Sequence, residues 1–142
     1  MKGIFWNSRG LADLAKRRFL RDTPIEQKLD FMALLETGRD NFTPQFLNTI
    51  SGGTDFDWHV LPPRGRSGGI LLGVKCETLE VLNVVHGDFA VKFRVRSKID
   101  GFQWALVAVY GAAQPELKAE FLADLVRICG DENLPILVGG DF

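Results

Sequence analysis

Residues 78–111 read TLEVLNVVHGDFAVKFRVRSKIDGFQWALVAVYG, and the fold turns on how this run is divided. Three stretches rich in β-branched and aromatic residues, 78–87, 89–97 and 102–111, follow one another with short breaks between them. The breaks carry turn signals, of which Ile99-Asp100-Gly101 is the clearest. The middle stretch alternates strictly over VKFRVR, which predicts a strand with one face in water. Consecutive strands of this kind do not belong to a pure alternation of strand and helix.

The flanks break that pattern. Downstream, QPELKAEFLADLVRICG (114–130) places Leu117, Phe121, Leu125, Ile128 and Cys129 at helical spacing. Pro115 opens that helix and Gly130 closes it, and LPILVGGD (134–141) is a last strand. Upstream, GIFWN (3–7) is a short strand and DLAKRRFLRD (13–22) a helix, with a break expected at Thr23–Pro24. DFMALLET (30–37) is apolar through its middle, the pattern of a strand buried on both faces. TPQFLNTI (43–50) is a short helix with Thr43 as its cap, and FDWHVLP (56–62) and the end of GRSGGILLGV (65–74) are strands. The order predicts a mixed α/β architecture in one domain, with helices packed on one face of a mixed sheet.

Composition narrows the function. A net charge of −1 gives no global basic field of the kind that announces a nucleic-acid binder. No apolar run reaches the ~18 residues of a membrane span, and MKGIFWNSRG has no apolar signal-peptide core. Cys76 and Cys129 lack metal-ligand spacing and read as reduced thiols of an intracellular protein, nuclear or cytoplasmic rather than secreted.

Four residues share a position. Asn7, Glu36, Tyr110 and Asp141 each stand at the carboxyl end of an expected strand, where ligands gather in sheet-based α/β folds. Glu36 offers a hard carboxylate for a cation such as Mg²⁺. Asp141 can orient or deprotonate a water, Asn7 can hold an oxygen by hydrogen bonds, and Tyr110 can donate to an anionic oxygen. Together they suit metal-assisted hydrolysis of a phosphate ester. Each alone reads first as a strand-end turn residue or a core aromatic with a wet tip. It is their common placement that points to chemistry. Arg64 and Arg66 in GRSGG carry guanidinium groups suited to phosphate, on a stretch that reads first as a turn whose glycines supply unusual backbone angles. The Lys16–Arg21 cluster reads as a solvated helix face. No G-x-x-x-x-G-K-[ST] loop occurs. His59 and His86 read as structural, with no acidic partner near them in sequence.

The motifs FWNSRGL (5–11), LLET (34–37), RSGGILL (66–72), VAVYG (107–111) and LVGGDF (137–142) come in an order that resembles the endonuclease/exonuclease/phosphatase superfamily. Most similar is the N-terminal endonuclease domain of plant LINE-type (non-LTR) retrotransposons. The resemblance implies a four-layered α/β sandwich, two mixed sheets face to face with helices outside. It implies cleavage of DNA phosphodiesters with Mg²⁺ or Mn²⁺, and a reverse transcriptase domain in the parent polypeptide. Carried onto this chain, Glu36 is the metal ligand, Asn7 organises the metal and phosphate, Tyr110 bonds the scissile phosphate and Asp141 aligns the attacking water. The family continues past its GD strand end to a late Asp-His pair. Residues 1–142 then correspond to a partial domain that lacks this pair and most of the second sheet. Such a chain is expected to leave an apolar sheet face open, and to be an inactive remnant or a phosphate-binding fragment.

Overall fold

In the computed structural model the described residues are 1–9, 22, 27–38, 41–63, 69–110 and 115–140. The helix expected over 13–22 (all but Asp22), the break at Thr23–Pro24, the Arg64 and Arg66 turn and Asp141 lie outside them.

The described residues form two four-stranded sheets. The first is built from β1 (Gly3–Asn7), β2 (Phe31–Leu35), β3 (Phe56–Leu61) and β4 (Ile70–Lys75), in the order β1-β2-β4-β3. The second has β5 (Leu79–His86), β6 (Ala90–Ser97), β7 (Gln103–Val109) and β8 (Ile136–Gly140), in sequence order. Each sheet is mixed. β1 runs parallel to β2 and β7 parallel to β8, and every other pairing is antiparallel. The consecutive strands of 78–111 thus become an antiparallel meander closed by one parallel strand, which returns through a helix as parallel pairing requires.

Strand alternation sorts the side chains into layers. Ala33, Leu35, Leu72 and Val74 of the first sheet meet Val91, Phe93, Leu106 and Ala108 of the second in one buried core. The other face of β2 and β4, with Met32, Leu34 and Leu71, is covered by Ile50 of helix α1 (Pro44–Ile50). The outer face of the second sheet, with Ala90, Val107 and Val109, is covered by Phe121 and Ile128 of helix α2 (Lys118–Gly130). β2 is buried on both faces, as its apolar run predicts. The layers therefore run helix, sheet, sheet, helix.

Two expectations are corrected here. The helices cover opposite outer faces rather than one. Nor is the inner face of the second sheet largely bare, because 79–140 already supplies four strands and the sheets bury each other along β5–β7; on the edge strand β8, Leu137 and Val138 stay exposed.

Local chemistry explains the helix starts. Thr43 caps α1 by accepting the Phe46 N–H at 3.1 Å, and Pro44 takes a first-turn position where no N–H is needed. α2 is entered through a 3-10 turn at Pro115–Leu117. Its buried face carries Asp124 between Phe121 and Ile128.

A third correction concerns VKFRVR. Lys92 is only 4% exposed, although alternation predicts it in water. The segment after α2 folds over it, and Glu132 accepts from Lys92 Nζ at 2.8 Å and from Arg94 Nε at 2.9 Å. These bonds, from Lys92 first and Arg94 second, hold the Glu132 carboxyl down at about 2 against an ordinary 4.5. Cys76 and Cys129 are both free thiols, half-buried, and burial pushes each thiol pKa up.

Candidate active site

Two contacts across the sandwich set the relative direction of the sheets. Phe31, the first residue of β2, packs on Trp104 near the start of β7, with ring centroids 6.0 Å apart. Farther along the strands, the Phe5 ring of β1 lies against Gly139 of β8, so closely that a Cβ at Gly139 would enter it. The starts face each other and so do the later parts, so β1, β2, β7 and β8 all run the same way. Their carboxyl ends share one end of the molecule.

That end holds three of the four expected residues. Asn7 closes β1, paired in register with Leu35. Glu36 is the next residue after β2, half-buried. Tyr110 follows β7 directly and is also half-buried. Asp141 follows Gly140 in sequence and, like Arg64 and Arg66, lies outside the described residues.

The backbone around Glu36 is unusual. Its φ is +53°, in the left-handed region where a side chain costs energy and glycine does not. Both neighbours are held. The Leu35 carbonyl accepts the Ser8 N–H at 2.9 Å and the Ser8 hydroxyl at 2.9 Å, and Thr37 N–H donates to the Gly69 carbonyl at 3.3 Å. Ser8 and Thr37 are each only 1% exposed. A non-glycine residue kept in this conformation by its surroundings is a recurring feature of functional sites. Asn7 turns its side-chain oxygen back to the Arg9 N–H at 3.2 Å, the hydrogen bond expected of an Asn that ends a strand.

Tyr110 is braced against the β5–β6 turn. Its hydroxyl donates to the Gly87 carbonyl at 3.0 Å, and its own N–H donates to the Phe89 carbonyl at 3.0 Å. The same turn is gripped from outside by Asp124, which accepts the Phe89 N–H at 2.8 Å and pairs with Arg127 at 2.7 Å. Gly87 packs against Ile128 and Asp124 so closely that a Cβ there would collide with both. A phenol has one O–H to give. In this arrangement the Tyr110 proton is given to Gly87, and donation to a phosphate oxygen requires the hydroxyl to rotate away.

Three further residues at or bracing this end were not among the expected ones. Ser8 follows the strand-ending Asn7, and nothing local marked it as buried. Asp124 was legible in principle, since it stands three residues after Phe121 and four before Ile128 on the inward side of α2. His86 ends β5, which runs in the same direction as β7 because two antiparallel pairings separate them. It is therefore an exposed imidazole at the site's end of the sandwich. His59 needs a correction as well, because its Nε2 lies 3.2 Å from the Asp57 carboxylate, two residues away on one face of β3.

Among the described residues, no three or more of His, Cys, Asp and Glu gather to hold a metal ion. The donor set nevertheless suits Mg²⁺, which commonly takes one or two carboxylates and completes its shell with water and phosphate. Glu36 is the carboxylate that would hold it. The molecule's other end carries a separate cleft of about 520 Å³, lined by Asp30, Thr78, Phe102, Trp104 and Leu137 among others. Both carboxylates of its lining are engaged: Asp30 accepts the Lys2 N–H at 2.9 Å and the Thr78 hydroxyl at 2.8 Å, and Asp100 accepts the Phe102 N–H at 3.0 Å.

Two face-to-face mixed sheets with a helix on each outer face, and polar side chains where parallel strands end together, define a four-layered α/β sandwich. Residues 4–142 match the Endonuclease/Exonuclease/phosphatase family, and the chain belongs to it. No curated protein matches the sequence. Among solved structures, the human Nocturnin catalytic domain with bound sulfate is similar at a TM-score of 0.72 and 16% identity, over 98% of this chain and 62% of that one. ANGEL2, a 2′,3′-cyclic phosphatase complexed with adenosine-2′,3′-vanadate, gives a TM-score of 0.69 and 15% identity, over 95% of this chain and 47% of that one. TDP2 of D. rerio, complexed with a single-strand DNA product, gives 0.66 and 14%, over 98% and 59%. The chain thus spans about half to two thirds of these structures. At such identities the likeness is one of fold. Among the described residues, no helix is long and apolar enough to cross a membrane.

Proposed function

We propose that this chain carries the metal-binding half of a phosphodiester hydrolase that nicks DNA in the manner of a retrotransposon endonuclease. The family's name covers endonucleases, exonucleases and phosphatases, all of which hydrolyse phosphate esters. The observation that carries the reading is that β1, β2 and β7, which Asn7 closes and which Glu36 and Tyr110 directly follow, end on the same side of the sandwich. Glu36 would hold Mg²⁺ or Mn²⁺, and the cation would polarise a phosphoryl oxygen. Asn7 would orient the phosphate, Asp141 would align the attacking water, and Arg64 and Arg66 would neutralise flanking phosphates. DNA as substrate goes with a nuclear or cytoplasmic protein and a reverse transcriptase domain in the same parent polypeptide.

Plasmid nicking in Mg²⁺ tests the reading. Where residues 1–142 stand in a domain that also supplies the family's late Asp-His pair, supercoiled DNA should be converted to open circles, and Glu36→Ala should lower the rate by ~100-fold or more, the scale of a lost metal ligand. Equal rates in the two proteins overturn it.

A second reading, a phosphate- or nucleic-acid-binding module without catalysis, is favoured by one observation. The Tyr110 hydroxyl is committed to the Gly87 carbonyl rather than directed outward. DNA retention in a mobility-shift assay, with no nicking under the same conditions, is the result this reading predicts.

A further inference from the structure

We propose that Ser8 is a positioning residue that sets the Glu36 carboxylate for a divalent cation; this rests on the metal-site reading of Glu36 given above. Ser8 follows the last residue of β1, and its side chain is spent on the end of the neighbouring strand. Its Oγ lies 2.9 Å from the Leu35 carbonyl and 3.4 Å from that of Glu36, so its single proton goes to Leu35. The Ser8 N–H reaches the same oxygen at 2.9 Å. A carbonyl has two lone pairs, and here both are taken by one residue. The final peptide of β2 is therefore fixed in position and rotation.

The consequence falls on the next residue. Glu36 leaves the strand with φ +53°, and its far side is fastened where Thr37 N–H meets the Gly69 carbonyl. Unfastened, a glutamate relaxes from that region to ordinary backbone angles and its carboxylate swings with it. Ser8 and the Gly69 contact hold it from two sides. A buried hydroxyl is costly unless bonded. This one is bonded to the peptide that precedes Glu36, and it ties that peptide to the residue that follows Asn7. One small side chain thus keeps two candidate site residues, from different strands, in mutual register.

Mn²⁺ titration of the full chain, read by electron paramagnetic resonance, tests this in the native protein, Ser8→Ala, Ser8→Thr and Glu36→Gln, with metal-free thermal melting as the control for folding. Ser8→Ala should weaken Mn²⁺ binding by ~10–100-fold, the range for residues that orient a ligand. Ser8→Thr, which restores the hydroxyl, should return it to within about threefold of native, and a purely structural serine would not show this recovery at equal melting temperature. Native Mn²⁺ affinity in Ser8→Ala, beside weakened binding in Glu36→Gln, overturns the role of Ser8 and leaves the metal site standing. Native affinity in Glu36→Gln overturns the metal site itself. If Ser8→Ala does not fold, Ser8→Cys keeps the volume with a much weaker donor and is judged by the same two criteria.

Discussion

Glu36 combines an acidic side chain with a backbone conformation that glycine would adopt at lower cost. That conformation costs a glutamate stability that a glycine there would not lose. Glu36→Gly should accordingly leave the metal-free melting temperature unchanged or raise it by a few degrees, and should remove the stabilisation that added Mn²⁺ gives the native chain. Melting curves with and without metal check both halves. Tyr110 can be probed in the same spirit. Tyr110→Phe removes one hydrogen bond to Gly87, a loss of about 0.5–1.5 kcal/mol in stability. A fall in nicking rate larger than that energy accounts for would show that the hydroxyl also meets the phosphate, whereas a proportionate fall would confine it to bracing the turn.

At the scale of elements, the segment after α2 works as a clamp on the second sheet. Glu132 is 1% exposed at its side chain and bonds both Lys92 and Arg94 of β6. Its carboxyl is lowered in the folded chain, so ionised Glu132 favours folding. That contribution is whole above the ordinary value near 4.5 and is lost as pH falls through about 2. Melting temperature should drop across this window, and Glu132→Gln should flatten that part of the profile. At neutral pH the same variant should be less stable by ~3–5 kcal/mol, because it strands the Lys92 ammonium in a buried site.

This clamp also marks where sequence reading stops. β2, β5, β6 and β7 were legible because alternation and apolar runs are local properties. Asn7, Glu36 and Tyr110 were legible because strand ends can be counted along the chain. The burial of Lys92 depends on a segment forty residues away folding back, and Ser8 depends on which strand lies beside β1. His59 was misjudged for a plainer reason. Residues i and i+2 share a strand face, so Asp57 was always within its reach.

At the scale of the whole molecule, one end of the sandwich depends on how closely the two sheets approach. Phe5 of β1 rests on Gly139 of β8, one residue before that strand's last described position, and next to where Asn7 and Tyr110 emerge. Only glycine permits this separation, because a Cβ at Gly139 would occupy the ring's place. Gly139→Val should therefore push the sheets apart near the site and cost about 1–3 kcal/mol, the scale of overpacking. Phe5→Ala should cost ~3 kcal/mol or somewhat more by leaving a cavity in the same spot. If the two side chains compete for one volume, the valine fills part of that cavity, and the double variant should be more stable than the sum of the singles predicts by at least about 0.5 kcal/mol. Urea unfolding of the four proteins measures that coupling. Strict additivity would mean that the sheets do not meet at Phe5 and Gly139, and the shared direction of β1, β2, β7 and β8, on which the gathering of Asn7, Glu36 and Tyr110 depends, would lose one of its two supports.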